Sequence, residues 1–271
     1  MGKPVFQQVE PLELARGSDV RTTFLTLTTR LCPAWLDEGE TYSDRLYGKL
    51  LAERGFERDS YGNYWVVIGT SRTIFSAHLD TADSVEVGPR QVRHKEKRGY
   101  VATDGTTILG ADDKAGMTII LTMVEAKVPG VYILFTDEEV GCLGSRWTAW
   151  QMSDDDLDVF DRMIVFDRAG NNEVLTRLSG IKSCSTVFAR ELCARLTRAG
   201  KTRYWPSRDG GMSDALSFVW FVKEVTNIGV GYEFAHTGRE IQDLRHLSNL
   251  IDRCLEIEWE KLPVSRRVHA P

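Results

Sequence analysis

The chain of 271 residues lacks the sequence features of zinc ribbons, of membrane-spanning proteins and of secreted proteins. It contains no CxxC pair, so a structural zinc ribbon is not expected. No apolar run approaches the roughly 20 residues of a membrane-spanning helix, and the N-terminal segment lacks the apolar core of a signal peptide. Its five cysteines are dispersed and odd in number, which indicates free thiols and predicts a cytoplasmic protein.

An excess of positive charge is also missing. The formal net charge is −5, so the chain has no overall basic field and nucleic acid is not an expected partner. The one basic run, residues 90–98 (RQVRHKEKR), is interpreted as a solvated loop or hairpin. Membrane association is not expected either, and the oligomeric state is left open.

Short apolar segments alternate with helical patterns along the chain. Apolar runs at residues 64–69 (YWVVIG), 73–77 and 131–136 (VYILFT) predict strands, the last buried on both faces. This alternation predicts an α/β fold with three layers, α/β/α, around a central, mostly parallel mixed sheet. No linker or internal repeat is visible, so residues 1–271 are predicted to form a single catalytic domain. Further predicted elements are a strand at 173–178, a helix within 209–220, a helix at 243–262 and an acidic loop at 154–156.

Polar side chains recur at the ends of the predicted strands. His78 follows the strand at 73–77, Glu138 and Glu139 follow the run VYILFT, and Asp167 follows MIVF. His236 comes shortly after a predicted strand at 224–229. In open α/β sheets, ligands bind outside the carboxyl ends of the strands, so we expect these side chains to converge there.

The residue types predict a metal centre. Two imidazoles with several carboxylates and no cysteine suit zinc, and would also accept cobalt or manganese. More acids are present than one tetrahedral ion needs, so we expect two ions sharing one carboxylate. The segment 107–116 (TILGADDKAG) supplies the bridging candidate, Asp112. Asp80 returns to the side of His78 if the strand persists, where it would orient the imidazole.

Several roles stay open at this point. One of Glu138 and Glu139 would bind metal while the other serves as general base for a water molecule. Lys114 is expected to neutralise local charge, and Cys142 to be a small packed thiol. The role of Asp113 is not assigned.

The segments HLDTAD, LGADDKAG, FTDEEVG, FDRAG and AHTGRE resemble, in this order, motifs of the co-catalytic dizinc exopeptidases, and the middle ones are similar to those of the peptidase T group. The resemblance implies that His78 and Asp167 bind one zinc ion and that Glu139 and His236 bind the second. It further implies Asp112 as the bridge, Glu138 as the general base, and Asp80 as the aspartate that orients a ligand.

The chain departs from the peptidase T group in one respect. Those proteins insert a lid or dimerisation domain between the counterparts of Asp167 and His236, whereas here ordinary sheet and helix elements are predicted. Tripeptide specificity is therefore not carried over, and the chain looks more like the single-domain dizinc aminopeptidases. The segment 209–215 (DGGMSDA) resembles a glycine–aspartate segment of some of these, with Asp214 as a possible substrate-side residue.

These observations predict a hydrolase that removes N-terminal residues from peptides by means of a water molecule activated by two zinc ions. An N-acyl amino-acid amidohydrolase or carboxypeptidase is the alternative that the same centre could support. A catalytically silent relative acting as a binding module is the alternative from another class, although it would have no chemical need for Glu138.

Overall fold

The computed structural model describes residues 9–34, 41–83, 90–152, 159–197 and 202–268. The predicted acidic loop at 154–156 lies outside these ranges. Within them, no helix combines the length and the apolar character that crossing a membrane requires.

An eight-stranded mixed sheet forms the centre, in the order β1-β2-β6-β3-β7-β12-β8-β11. Its strands are β1 (Glu57–Arg58), β2 (Tyr64–Ile68), β3 (Thr73–His78), β6 (Gly130–Phe135), β7 (Arg162–Arg168), β8 (Glu173–Leu175), β11 (Trp205–Ser207) and β12 (Glu224–Gly229). The four central strands β6, β3, β7 and β12 are parallel, while β2 and β8 pair antiparallel to this block. The predicted mixed, mostly parallel centre is confirmed.

Smaller antiparallel sheets complete the strand structure. Four strands pair in the order β13-β14-β5-β4, with β4 (His94–Lys97), β5 (Tyr100–Thr103), β13 (Tyr232–Glu233) and β14 (Ile241–Asp243). The hairpin of β4 and β5 contains most of the basic run, and its burial pattern confirms a solvated position. A second hairpin consists of β9 (Arg177–Leu178) and β10 (Ile181–Lys182).

Six α-helices lie in the described ranges: α1 (Val20–Leu27), α2 (Tyr42–Ala52), α3 (Ala111–Glu125), α4 (Leu143–Gln151), α5 (Thr186–Leu196) and α6 (Leu244–Glu256). Local sequence explains several helix starts. A reciprocal capping box of Thr41 and Asp44 begins α2, and the Asp243 side chain accepts two backbone N–H groups at the start of α6. Such bonds satisfy donors that a helix N-terminus leaves unpaired.

Alternate residues of the central strands enter two separate apolar cores. In β6, Tyr132 and Leu134 join the core that contains α1, α2, α3, α5 and α6. Ile133 and Phe135 join a second core on the opposite face, with residues of α4 and of the hairpin β9–β10. This alternation follows from the two-residue period of a strand and confirms that VYILFT is buried on both faces.

Three predicted elements differ from the structure. The strand predicted at 173–178 is divided into β8 and β9, and Thr176 between them donates its N–H to the carbonyl oxygen of Ser207 in β11. The helix predicted within 209–220 is a short 3₁₀ helix, Asp214–Phe218. The C-terminal helix ends at Glu256 rather than 262, since Ile257 is extended and the Trp259 indole donates to the carbonyl of Cys254.

Candidate metal centre

The first group of candidate ligands is formed by the ends of two neighbouring strands and the start of α3. His78 is the last residue of β3, and Asp167 lies near the end of the adjacent β7. The Nε2 atom of His78 lies 3.1 Å from Oδ1 of Asp112 and 3.6 Å from Oδ1 of Asp167. Adjacent parallel strands therefore bring the imidazole and the carboxylate to one point at the sheet edge.

The second group contains the other predicted histidine. His236 lies between β13 and β14, and its Nε2 atom is 3.1 Å from Oδ2 of Asp112 and 3.0 Å from Oε2 of Glu139. His236 has a positive φ of 62°, a conformation uncommon for residues other than glycine. The structure thus brings together His236 and Glu139, which are far apart in the sequence.

Asp112 belongs to both groups through different oxygen atoms. Its Oδ1 faces His78 and its Oδ2 faces His236. In each group of three residues, the potential ligand atoms all lie within 4.8 Å of one another. One carboxylate between two sets of nitrogen and oxygen donors is the geometry expected of a bridging ligand in a two-metal site.

The two adjacent aspartates face different partners. Asp112 and Asp113 both depart from helical φ and ψ at the start of α3, and the peptide bond between them is cis. The Asp113 carboxylate turns inward and accepts the backbone N–H groups of His78 and Gly116. Gly116 allows this close packing, because a Cβ there would lie 2.1 Å from the carbonyl oxygen of Phe166. Asp113 therefore connects β3 to α3.

Asp80 connects the first histidine to the acid pair. Its carboxylate is fully buried and accepts the backbone N–H groups of Glu138 and Glu139 at 3.1 and 3.0 Å. The same carboxylate lies 3.4 Å from Nδ1 of His78, on the side of the ring away from Asp112. A carboxylate at this position orients a ligating imidazole.

Lys114 turns away from the carboxylates that face the two histidines. Its buried ammonium group donates to the carbonyl oxygens of Leu79 and Asp80 and lies 5.2 Å from the centre of the Tyr47 ring. Burial is the largest influence on the amine and lowers its pKa. Lys114 thus fixes the backbone that follows His78.

Glu138 lines the cleft beside the two groups. The Cys142 thiol is buried, as predicted, and donates a hydrogen bond to Oε1 of Glu138 at 3.4 Å. Burial, together with repulsion by Asp167 and Asp214, raises the pKa of Glu138 to about 9. A carboxyl group shifted in this way is a candidate for proton transfer.

The charge balance of the centre indicates a need for cations. Burial is the largest cause that raises the pKa of Asp113, Asp167 (to about 6) and Asp214 (to about 8). Hydrogen bonds with Asp112 and Glu139 raise the pKa of His236 to about 10. These shifts reflect the crowding of buried carboxylates, which bound divalent cations would offset.

The donor atoms also fit metal ions. Each group offers one imidazole nitrogen and two carboxylates, a set that suits zinc, cobalt or manganese. Oε1 of Glu139 is buried and has no hydrogen-bond partner among the described residues. A buried carboxylate oxygen without a donor is costly unless something else compensates it, so the residues present fit a bound cation.

Three residues that contact the candidate ligands carried no clear signal in the sequence. Asn227, in β12, accepts the backbone N–H of Asp167 and donates to its carbonyl oxygen. The Tyr232 hydroxyl approaches Oδ1 of Asp167 at 3.3 Å. Glu240 accepts the backbone N–H of Asp112. Only Glu240 could have been suspected, since it closes the segment AHTGRE.

A cleft of about 200 Å³ opens above these groups. Four candidate ligands, Asp112, Glu139, Asp167 and His236, line it together with Glu138, and its apolar lining includes Leu175, Leu178 and Met212. Asp214 is buried beside the cleft-lining Ser213. The cleft therefore has both polar and apolar lining residues, a combination typical of sites for small molecules.

Sequence comparisons find similarity over limited stretches. No protein-family model matches the chain. The uncharacterised protein YqjE of Bacillus subtilis is 36% identical over 29% of this chain and 23% of its own length. Peptidase T of an Exiguobacterium species is 35% identical over 31% of each chain. The chain thus matches less than a third of the length of these curated relatives.

Solved structures agree with the chain over most of its length. The aminopeptidase PepT of Bacillus cereus superimposes with a TM-score of 0.67 at 17% identity, covering 87% of this chain and 96% of that one. An aminopeptidase of Desulfurococcus kamchatkensis gives 0.65 at 14% identity, covering 89% and 94%. The TET1 peptidase of Pyrococcus horikoshii gives 0.62 at 14% identity, covering 86% and 97%. The chain therefore has the α/β fold of the PepT and TET peptidases, which the motif resemblance to zinc exopeptidases implied.

Proposed function

We propose that this protein is a metal-dependent peptidase, and specifically an aminopeptidase that uses two zinc ions. One observation carries the proposal: each histidine Nε2 faces two carboxylates, and the two sets share Asp112 through separate oxygens. His78 and Asp167 would hold one ion and Glu139 and His236 the other. The aminopeptidases among the structural neighbours support the choice of substrate.

Glu138 would act as the general base and acid. It accepts a proton from the water that attacks the peptide carbonyl, and it returns that proton to the leaving amine. Bound cations would supply Lewis-acid polarisation of the carbonyl and lower the pKa of water. Cys142 donates to Oε1 of Glu138 and holds that carboxylate toward the cleft, while Asp80 keeps the His78 ring and the acid pair in register.

The organisation of the chain supports a compact catalytic unit. Between Asp167 and His236, β8, β11 and β12 belong to the central sheet, and α5, β9, β10 and β13 contribute residues to its two apolar cores. This arrangement supports a single catalytic domain without a lid. The five cysteines, all in described ranges, are buried and unpaired, which suits the reducing cytoplasm. A negative net charge supports a peptide rather than a nucleic acid as the substrate.

Two measurements on the purified protein test the proposal. The first is elemental analysis, for which we expect close to two zinc, cobalt or manganese ions per chain. The second is hydrolysis of matched peptides with free and acylated N-termini, with and without a chelator. Chelator-sensitive release of the N-terminal residue from the free-amine peptides alone is the expected result.

Other outcomes would redirect or reject the assignment. Two ions with cleavage of acylated substrates alone would favour an N-acyl amino-acid amidohydrolase. Bound ions without turnover of any peptide would favour a silent binding module. Absence of both ions and turnover would reject the metal-dependent mechanism.

The variant Glu138→Gln tests the base. The amide has nearly the same shape but does not accept the proton, so turnover should fall by about 10²–10⁴-fold while the ion content stays near that of the wild type. An active Glu138→Gln protein would assign the proton transfer to another group.

A further inference from the structure

Glu240 is a buried carboxylate next to the candidate metal centre that belongs to neither ligand group. It is only 1% exposed and directly precedes β14. Its Oε2 accepts the backbone N–H groups of Leu109 and Gly110 at 2.7 and 2.8 Å, and its Oε1 accepts that of Asp112 at 3.1 Å. Three donors from another part of the chain thus converge on one side chain.

The residues held by Glu240 contain the bridging candidate. Gly110 has a φ of 72° and stands immediately before α3, so this segment is a sharp turn rather than a regular helix start. Neither Gly110 nor Asp112 is capped by a side chain of its own segment, as Gly110 has none and the Asp112 carboxylate faces the two histidines. The conformation that aims Asp112 between them therefore depends on a distant acceptor.

The same residue also fixes the segment that carries His236. Between β13 and β14, two hydrogen bonds within the turn are short-range: Thr237 donates its hydroxyl to the carbonyl oxygen of Phe234, and Glu240 donates its N–H to that of Thr237. Neither of these two hydrogen bonds reaches α3. The Glu240 carboxylate does connect the two, since it spans from the base of the His236 turn to the N–H of Asp112.

We propose that Glu240 is a positioning residue that sets the distance between Asp112 and His236 and so builds the second cation site. The proposal rests on the proposed function, because it concerns the same centre. The three backbone N–H groups fix the Glu240 carboxyl group against the segment that carries Asp112, and residues that orient metal ligands typically affect metal affinity by about 10–100-fold. The group of His78, Asp112 and Asp167 depends less on Glu240, because two of its members stand on strands.

Glu224 in the same chain is a matched control that tests whether Glu240 has a purely structural role. Glu224 is likewise fully buried and accepts three backbone N–H groups, from Ser185, Ser265 and Arg266, at 2.6, 2.7 and 2.9 Å. It stands at the start of β12, whereas the site lies beyond the end of that strand. Changing either glutamate to glutamine removes carboxylate–amide bonds of the same kind, but only Glu240 contacts a candidate ligand.

The experiment compares Glu240→Gln with Glu224→Gln in the full chain. Zinc is titrated against a competing chelator to give the number and affinity of bound ions, and thermal unfolding of the chelated proteins gives the stability change. We expect both variants to lose stability. Glu240→Gln alone should weaken the second zinc ion by about 10–100-fold, with the first ion changed by less than about tenfold.

The outcomes separate this inference from the proposed function. A wild type that binds no zinc rejects the proposed function itself. A wild type that binds two ions while Glu240→Gln binds both with unchanged affinity overturns the role of Glu240. Equal loss of the second ion in Glu240→Gln and Glu224→Gln also overturns it, because a general loss of stability would then explain the effect. If Glu240→Gln does not fold, Glu240→Asp, which keeps the charge but shortens the reach, decides by the same titration.

Discussion

The two halves of the candidate centre differ in how the protein holds them. The His78 side chain is 1% exposed, ends a central strand and has Asp80 and Asp112 on either side of its ring. The His236 side chain is 51% exposed and lies in a turn with a positive φ. The first half is therefore built into the sheet, whereas the second is presented by a connection between two short strands.

This difference means that one half of the centre is held rigidly while the other leaves the cleft accessible. A ligand on a buried strand is preorganised by the packing around it, and its position changes only if the core changes. A ligand on an exposed turn leaves the cleft open to substrate, but its position depends on a few polar contacts. We therefore expect the two cation sites to differ in affinity, with the His78 site the tighter.

The largest effect is expected for Asp112→Asn, which affects both halves at once. The amide offers one oxygen instead of two and loses the negative charge, so both ions should bind weakly. Turnover should fall by about 10³-fold, the scale seen when a group that stabilises the transition state is lost. Elemental analysis after dialysis measures the ion content. Asp113→Asn is not a suitable control, because the Asp113 carboxylate accepts the backbone N–H of His78. Two ions retained by Asp112→Asn would contradict the bridge.

An intermediate effect is expected from a matched pair, His78→Ala and His236→Ala, each of which should leave one ion per chain. Their stabilities should differ, because His78→Ala empties a buried site and leaves the Asp80 carboxylate without its imidazole, at a cost of about 1–3 kcal/mol. His236→Ala removes a half-exposed side chain and should stay within about 0.5 kcal/mol. Urea unfolding of the chelated proteins measures both values, and equal losses would remove the distinction between the halves.

The smallest effect is expected at the outer edge of the exposed half. Phe234 is 53% exposed and stacks with the Arg239 guanidinium, 5.2 Å from the centre of its ring. An exposed cation–π contact contributes about 0.5–1 kcal/mol, so Phe234→Ala should weaken the second ion by less than about fivefold. Competition with a chelator measures this affinity. Adding Arg239→Gln to Phe234→Ala should weaken zinc binding little further, because the contact is already lost. A loss of zinc affinity as large as that expected for Glu240→Gln would show that Phe234, rather than Glu240, positions the turn.

The fold was predictable where the apolar pattern alone determines burial. The run VYILFT predicted a strand buried on both faces, and β6 contributes to both cores. Predictions were wrong at the ends of some elements. The strand predicted at 173–178 is divided at Thr176, and α6 ends at Glu256, beyond which the Trp259 indole donates to the carbonyl of Cys254. Apolar residues continue past both points, so the apolar pattern does not show where these elements end.

The sequence predicted which residue types form the site, but not where each side chain points. Strand ends indicated that His78, Asp167 and the acid pair would meet, and the structure brings them together with Asp112 and His236. The choice between Asp112 and Asp113 depended on the resemblance, because two adjacent residues at an irregular helix start can point either way. Their non-helical dihedrals turn one toward the histidines and the other toward the backbone.

The apolar residues that line the cleft come from a different part of the structure than the candidate ligands. Leu175 and Leu178 belong to the second core, on the face of the sheet opposite α3, and yet both line the cleft. Exchanging their side chains would alter which substrates fit, while every candidate ligand kept its place. Substitutions at these two positions would therefore change the shape of the cleft without moving the candidate ligands.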